Sequence, residues 1–181
     1  METSKFDNTM ENKEAIKSIT FILGGALLQL FNGIGDGWAS TLVAVFGFII
    51  FYIGLDKLKD GLDNTGQSGV GMLKIAALIG ATGALIDLIP LLGWLATLAY
   101  ITAFVLELLG FVKLKSSGSL GTEGKSGVTL LLVAMVLAIV QAFFSFLPFV
   151  GSFFSTPFAL AALALVFFGW VKVQDDILSR S

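Results

Sequence analysis

Four side chains with usable chemistry lie in or beside the long apolar stretches of this 181-residue chain: Gln29, Asp87, Glu107 and Gln141. Glu107 is the sharpest of them. It precedes Lys113 by six residues, which sets it about 9 Å deeper along a helix. Its same-face neighbours Tyr100, Ala103 and Gly110 form a small, polar stripe suited to the inside of a bundle. An ionisable residue within a membrane span marks a proton or cation site. The competing reading has the carboxylate reach the cytoplasmic headgroups or pair with Lys113 or Lys115. Asp87, three residues before Pro90, either binds a cation at the outer mouth or bonds the backbone of its own turn. Gln29 and Gln141 are candidate transport or ion-binding residues, with interhelical hydrogen bonding as the plainer alternative.

Other chemistries lack their residues. The chain has no Cys and no His, so thiol nucleophiles, disulfides, zinc sites of the Cys/His type and His-ligated haem are out of reach. It has no phosphate-cradling Gly-rich motif, and its Ser and Thr residues have no His partner. No cofactor and no metal are expected, and the chain is read as a non-enzyme. A net charge of −2 without any basic block gives nucleic acid nothing to hold.

The elements that must position these residues follow from composition. Hydrophobic residues make up 56 % of the chain and charged ones 13 %, with a mean hydropathy of +0.91. That is far from soluble globular usage, where about a quarter of residues are charged. No charge occurs between Lys125 and Lys172. As one helix that run would be roughly 70 Å long against a hydrocarbon core of about 30 Å, so it must cross twice. The interruption "DLIPLLG" turns Met72–Val112 back on itself in the same way. Six apolar segments result, near 18–31, 38–55, 72–89, 91–112, 128–147 and 155–173. The first is short for a span, and it is read as a span rather than as a cleaved leader because four acids precede it.

All eleven Lys and Arg residues fall in 1–17, 56–74, 113–125 or from Lys172 onward, never at the reversals near Asn32–Gly37, Pro90–Gly93 and Pro148–Gly151. With six spans this puts every basic segment on one side, which the positive-inside rule makes cytoplasmic. The expected location is the cell membrane, plasma or inner, with both termini cytoplasmic.

The chain also resembles itself. Displaced by 56 residues, Gly24, Gly37, Trp38, Thr41 and Gly54 fall on Gly80, Gly93, Trp94, Thr97 and Gly110. Displaced by 58, Ala76, Gly80, Ala84 and Pro90 fall on Ala134, Ala138, Ala142 and Pro148, and after one inserted residue Gly110-Phe111 meets Gly169-Trp170. The fold class read from these patterns is an all-α integral membrane protein with six transmembrane helices as three tandem, like-oriented hairpins. Its parts are a cytoplasmic tail 1–17, a transmembrane domain 18–173 with repeats of about 18–73, 74–127 and 128–173, and a tail 174–181.

Ala76, Gly80 and Ala84, like Ala134, Ala138 and Ala142, are read as helix-packing seams. Trp38, Trp94 and Trp170 are read as interface anchors. Asp36 and Thr156 are read as caps, with Pro157 opening its helix after a longer loop from Phe149, and the Gly- and Ser-rich connections as flexible linkers. The polar residues do not recur in the repeats: Glu107 falls on Phe51 and Val166. The scarcity of buried polar groups favours an accessory, assembly or scaffold component of a membrane complex. The rival is a small channel or proton/cation-coupled transporter using Glu107. The expected partners are the lipid bilayer and other membrane proteins or copies of the chain itself.

Overall fold

A computed structural model describes the backbone of residues 3–30, 38–145 and 151–180, and the side chains of 16–29, 38–144 and 156–180. Among them it contains six helices: α1 Thr3–Leu30, α2 Trp38–Lys59, α3 Asn64–Asp87, α4 Gly93–Lys115, α5 Thr122–Ser145 and α6 Gly151–Leu178. Helix is the outcome an apolar environment demands, because a spanning segment must satisfy its backbone hydrogen bonds internally. Helices α2 to α6 are long and apolar enough to cross a membrane, while the apolar part of α1, Ile16–Gln29, is shorter.

Consecutive helices pack most extensively, α1 on α2, α3 on α4 and α5 on α6; contacts of α2 with α3, α4 with α5 and α6 with α1 join these pairs. Glycine sets the approach. A Cβ on Gly69 would stand 2.8 Å from the Gly110 carbonyl oxygen of α4, and one on Gly127 would collide with the Gly169 carbonyl oxygen of α6. In α2, Gly54 faces Ser18 of α1, whose hydroxyl donates to the Gly54 carbonyl at 2.8 Å.

The residue after each return-helix glycine points to the centre: Leu55, Phe111 and Trp170 are 0, 3 and 1 % exposed. Trp170 meets Phe51 edge-on, with centroids 6.3 Å apart, and Phe111 at 6.0 Å. Around them Ile19, Ile22, Leu73, Leu114, Leu131 and Val173 complete a core at the end of the bundle that carries the lysines. Trp170 is therefore a core residue and not an interface anchor. Lys172 lies two residues further on, about 200° around the helix, so the cation faces outward while the indole faces in. Trp38 and Trp94, 70 and 65 % exposed, lie in the first turns of α2 and α4.

The connections differ from flexible linkers. Helix α3 begins at Asn64 and α5 at Thr122, so most of each Gly- and Ser-rich stretch is helix. Asp63 caps α3 by accepting from the Gly66 N–H at 2.8 Å. Its carboxylate also accepts from the Ser117 hydroxyl (2.6 Å) and the Gly118 N–H (2.8 Å), and its own N–H donates to Ser119 Oγ (2.6 Å), which ties one connection to the next. Asp176 of α6 accepts from the Gly121 N–H at 2.8 Å and from Arg180 Nε at 3.2 Å. Small residues are used here for tight hydrogen bonding and close approach rather than for slack.

Other boundaries shift for similar reasons. Helix α1 extends back to Thr3 and α6 on to Leu178, so helix continues into both segments read as tails. Helix α6 has already begun at Gly151, and Pro157 lies inside it, so Thr156 and Pro157 do not start the helix; a missing N–H near a helix start removes only one bond. The reversal at Pro90 is a turn in which the Leu92 N–H donates to the Ile89 carbonyl at 3.1 Å, with Leu91 rather than a glycine at positive φ, 75°. The expected cap Asp36, the reversal 32–37 and Pro148 lie outside the described residues.

Two outcomes follow. Gly127→Leu is expected to cost about 3 kcal/mol by overpacking, whereas Gly71→Leu, with nothing within 4 Å of the added Cβ, leaves stability nearly unchanged; unfolding in detergent titrations compares them. The Ser117 hydroxyl first, then the Gly66 and Gly118 N–H groups, lower the Asp63 carboxyl to about 2. A carboxyl depressed in the folded state stabilises above its unfolded value, about 3.9, and that contribution is lost as pH falls through about 2. Melting temperature should therefore drop between those pH values in the native protein and drop less in Asp63→Asn.

Candidate functional site

Helices α3 and α4 each turn one face to a common space. On α4, Tyr100, Ala103, Phe104 and Glu107 recur at i, i+3, i+4 and i+7, the spacing that stacks side chains along one helix face. On α3, Leu73, Ala76, Ala77 and Gly80 have the same spacing. Together with Phe48 and Phe51 of α2 and Gln29 of α1 they enclose a cavity of about 180 Å³.

Glycines seat its walls. A Cβ on Gly80 would lie 2.6 Å from the Phe48 ring, and one on Gly83 would lie 3.3 Å from the Tyr100 ring, so both aromatics rest on the bare backbone of α3. Gly47 of α2 lets the Gln29 backbone nitrogen come within 2.8 Å of where its Cβ would stand, which brings the end of α1 to the cavity.

Three polar side chains thus converge: Gln29, Tyr100 and Glu107. The Gln29 side-chain nitrogen is buried and has no hydrogen-bond partner among the described residues. No ion pair reaches Glu107 among the described residues. Of the two lysines expected to neutralise it, Lys113 is engaged elsewhere, its Nζ donating to Ser68 Oγ of α3 at 2.9 Å. Lys74 pairs with Asp56 and lies 4.4 Å over the Tyr52 ring. Glu107 accordingly faces the cavity rather than a cation at the basic end. A carboxylate held among apolar walls without a countercharge attracts a bound positive species.

The remaining residues singled out from the sequence do not join this site. Asp87 is exposed at the end of α3, and Gln141 is half-buried on α5, which contributes nothing to the cavity lining. Of the two small-residue stripes, Ala76, Gly80 and Ala84 are buried, and the first two line the cavity. On α5 only Ala134 is buried. Ala138 and Ala142 are exposed, so this stripe does not run as a seam between helices of this chain. The close contact of α5 is at Gly127 instead, one turn below Leu131 and toward the basic end.

The aromatic walls Phe48, Phe51 and Phe104 were not legible as site residues. Their one signal is that each lies three or four residues from a polar or small position on its own helix, or opposite a glycine. Comparison with protein-family models, curated proteins and solved structures finds no match.

A buried amide nitrogen without a partner costs about 1–3 kcal/mol. Gln29→Met, which keeps the volume and removes the polar atoms, should therefore raise the stability of the empty protein by about 1 kcal/mol. Thermal unfolding in detergent measures this, and a clear loss of stability would show that the amide has a partner the cavity geometry does not supply.

Proposed function

We propose that the chain is a non-catalytic, multi-pass membrane protein that binds a proton or a small cation at Glu107. The observation that carries this reading is the convergence of Glu107, Gln29 and Tyr100 on one cavity otherwise walled by apolar and small side chains. The scarcity of buried polar groups along the sequence speaks for an accessory role only while those groups are scattered. Gathered at one place they suffice for a site.

The reading includes six crossings as three like-oriented hairpins, with the Lys-rich ends and both termini cytoplasmic. Five long apolar helices support it, as do the lysines at the ends of α2 and α4 and the shared placement of Leu55, Phe111 and Trp170 behind glycines. Glu107 would then lie roughly 12 Å from the cytoplasmic end of α4, eight residues before Lys115. Such a depth suits a site reached from the cytoplasm.

A second reading, an accessory or assembly component of a membrane complex, draws on the exposed Ala138 and Ala142 of α5. Small residues facing outward let another helix approach closely, from a second copy or a different membrane protein.

Reconstitution in liposomes separates the two. Under an imposed proton gradient the wild-type protein should carry protons, and Glu107→Gln should reduce that flux at least about tenfold, the loss expected when the cavity's carboxyl group can no longer change charge. Wild-type flux that is absent, or unchanged by Glu107→Gln, overturns the first reading. Absent flux together with a stable complex that Ala138→Phe disrupts would favour the second.

A further inference from the structure

The cavity is larger and more aromatic than a proton or a bare metal ion needs. A proton requires the carboxylate alone, and a metal cation requires about six oxygen ligands at close range. This cavity has three polar side chains in its lining, Gln29, Tyr100 and Glu107, and the rest of the lining is apolar or glycine. Its volume of about 180 Å³ exceeds the roughly 150 Å³ at which an apolar protein cavity admits benzene. Its walls carry the faces or edges of four rings, Phe48, Phe51, Tyr100 and Phe104, around a single carboxyl group, that of Glu107. Rings attract a cation through their quadrupole, and far more so where water is excluded.

From this combination we infer that the cavity is a binding site for a small organic ammonium ion, one with a protonated amine and a short apolar body. This rests on the reading of Glu107 as a cation site and names the chemical class of the cation. The ammonium donates to the Glu107 carboxylate, which supplies the countercharge. The apolar body fills the space beside Ala76, Ala77, Gly80 and Ala103, where larger side chains would leave none. Phe48, held on Gly80, and Tyr100, held on Gly83, are fixed as walls rather than left to collapse inward. A pocket mostly apolar with a few convergent polar groups is the usual form of a small-molecule site.

The test is calorimetric titration of the full-length protein in detergent with n-butylammonium and with 1-butanol, its neutral isostere. The wild-type protein should bind butylammonium at least about tenfold more tightly, the ratio one charge-assisted hydrogen bond supplies. Glu107→Gln should abolish that preference. Ala103→Leu, which keeps the carboxylate but fills the space, should abolish butylammonium binding. Equal wild-type affinities for the two probes, a preference that survives in Glu107→Gln, or displacement of butylammonium by equimolar sodium or potassium would each overturn the inference. The wild-type comparison of the two probes decides even if a variant fails to fold. Glu107-dependent proton flux without a butylammonium preference would sink the organic ligand and leave the proton or cation reading standing. Absence of both flux and butylammonium binding would sink the two together.

Discussion

Helices in a lipid environment gain nothing from hiding apolar side chains from one another, since the lipid is as apolar as they are; what holds them is close backbone approach and hydrogen bonding. In this chain such approaches occur at the basic end, where Gly69 meets Gly110, Gly127 meets Gly169, and Ser18 bonds the Gly54 carbonyl, and nearer the middle, where Gly25 meets Gly47. Each contact fixes how its return helix is rotated. Once Gly54, Gly110 and Gly169 face their partner helices, the following residues, Leu55, Phe111 and Trp170, must face the centre. The same rotation places Glu107, three residues before Gly110, toward the cavity. The site is in this sense a consequence of the glycine contacts. It needs no separate device to aim the carboxylate.

The turns at that end complete the constraint. Asp63 and Asp176 each accept backbone N–H groups from the connection between α4 and α5, at Gly118 and Gly121. Two carboxylates on different helices therefore grip the same short segment from either side. Charge-assisted hydrogen bonds of this kind are about twice as strong as neutral ones. The opposite end has no such clasp among the described residues. Its turn at Pro90 contains a strained Leu91, and the side chains fully buried beyond the cavity, Ala84 and Ala96, are small. Large buried side chains thus concentrate at the lysine end, with the cavity where that core gives out.

What the sequence disclosed, and what it concealed, follows from which interactions are local. Hydropathy and lysine placement located the apolar segments to within several residues, because each signal belongs to one helix. The face of Glu107 was readable for the same reason: Tyr100, Ala103 and Gly110 are its own helical neighbours. Trp170 was misread because tryptophan beside lysine has two solutions, at an interface or behind it, and only the rotation imposed by Gly169 selects between them. The connections were misread because Gly, Ser and Asp serve both as flexible chain and as caps and close contacts. Asp63 becomes a clasp only when Ser117 and Gly118, more than fifty residues away, arrive beside it. The cavity itself could not be read, since its walls come from four helices. Likewise Ala138 and Ala142 share the spacing of Ala76 and Gly80, yet nothing in spacing tells whether a neighbouring helix is present.

The strongest reason to regard the cavity as a site rather than a packing fault is what occupies the corresponding positions elsewhere in the chain. When the chain is laid on itself, Glu107 falls on Phe51 and Val166. Phe51 is buried, and Val166 packs against the core. A large apolar residue is thus what this position holds when only packing is at stake, and a phenylalanine here would fill much of the void and remove a charge from apolar surroundings. Both changes would stabilise the empty fold, since cavities and unpaired buried polar groups each cost free energy. A void, an unpaired carboxylate and an unpartnered Gln29 amide all occur at one place. Three separate penalties at a single position are hard to account for by packing, and the first two, the void and the unpaired carboxyl, are relieved together when a cation with some apolar bulk enters the space.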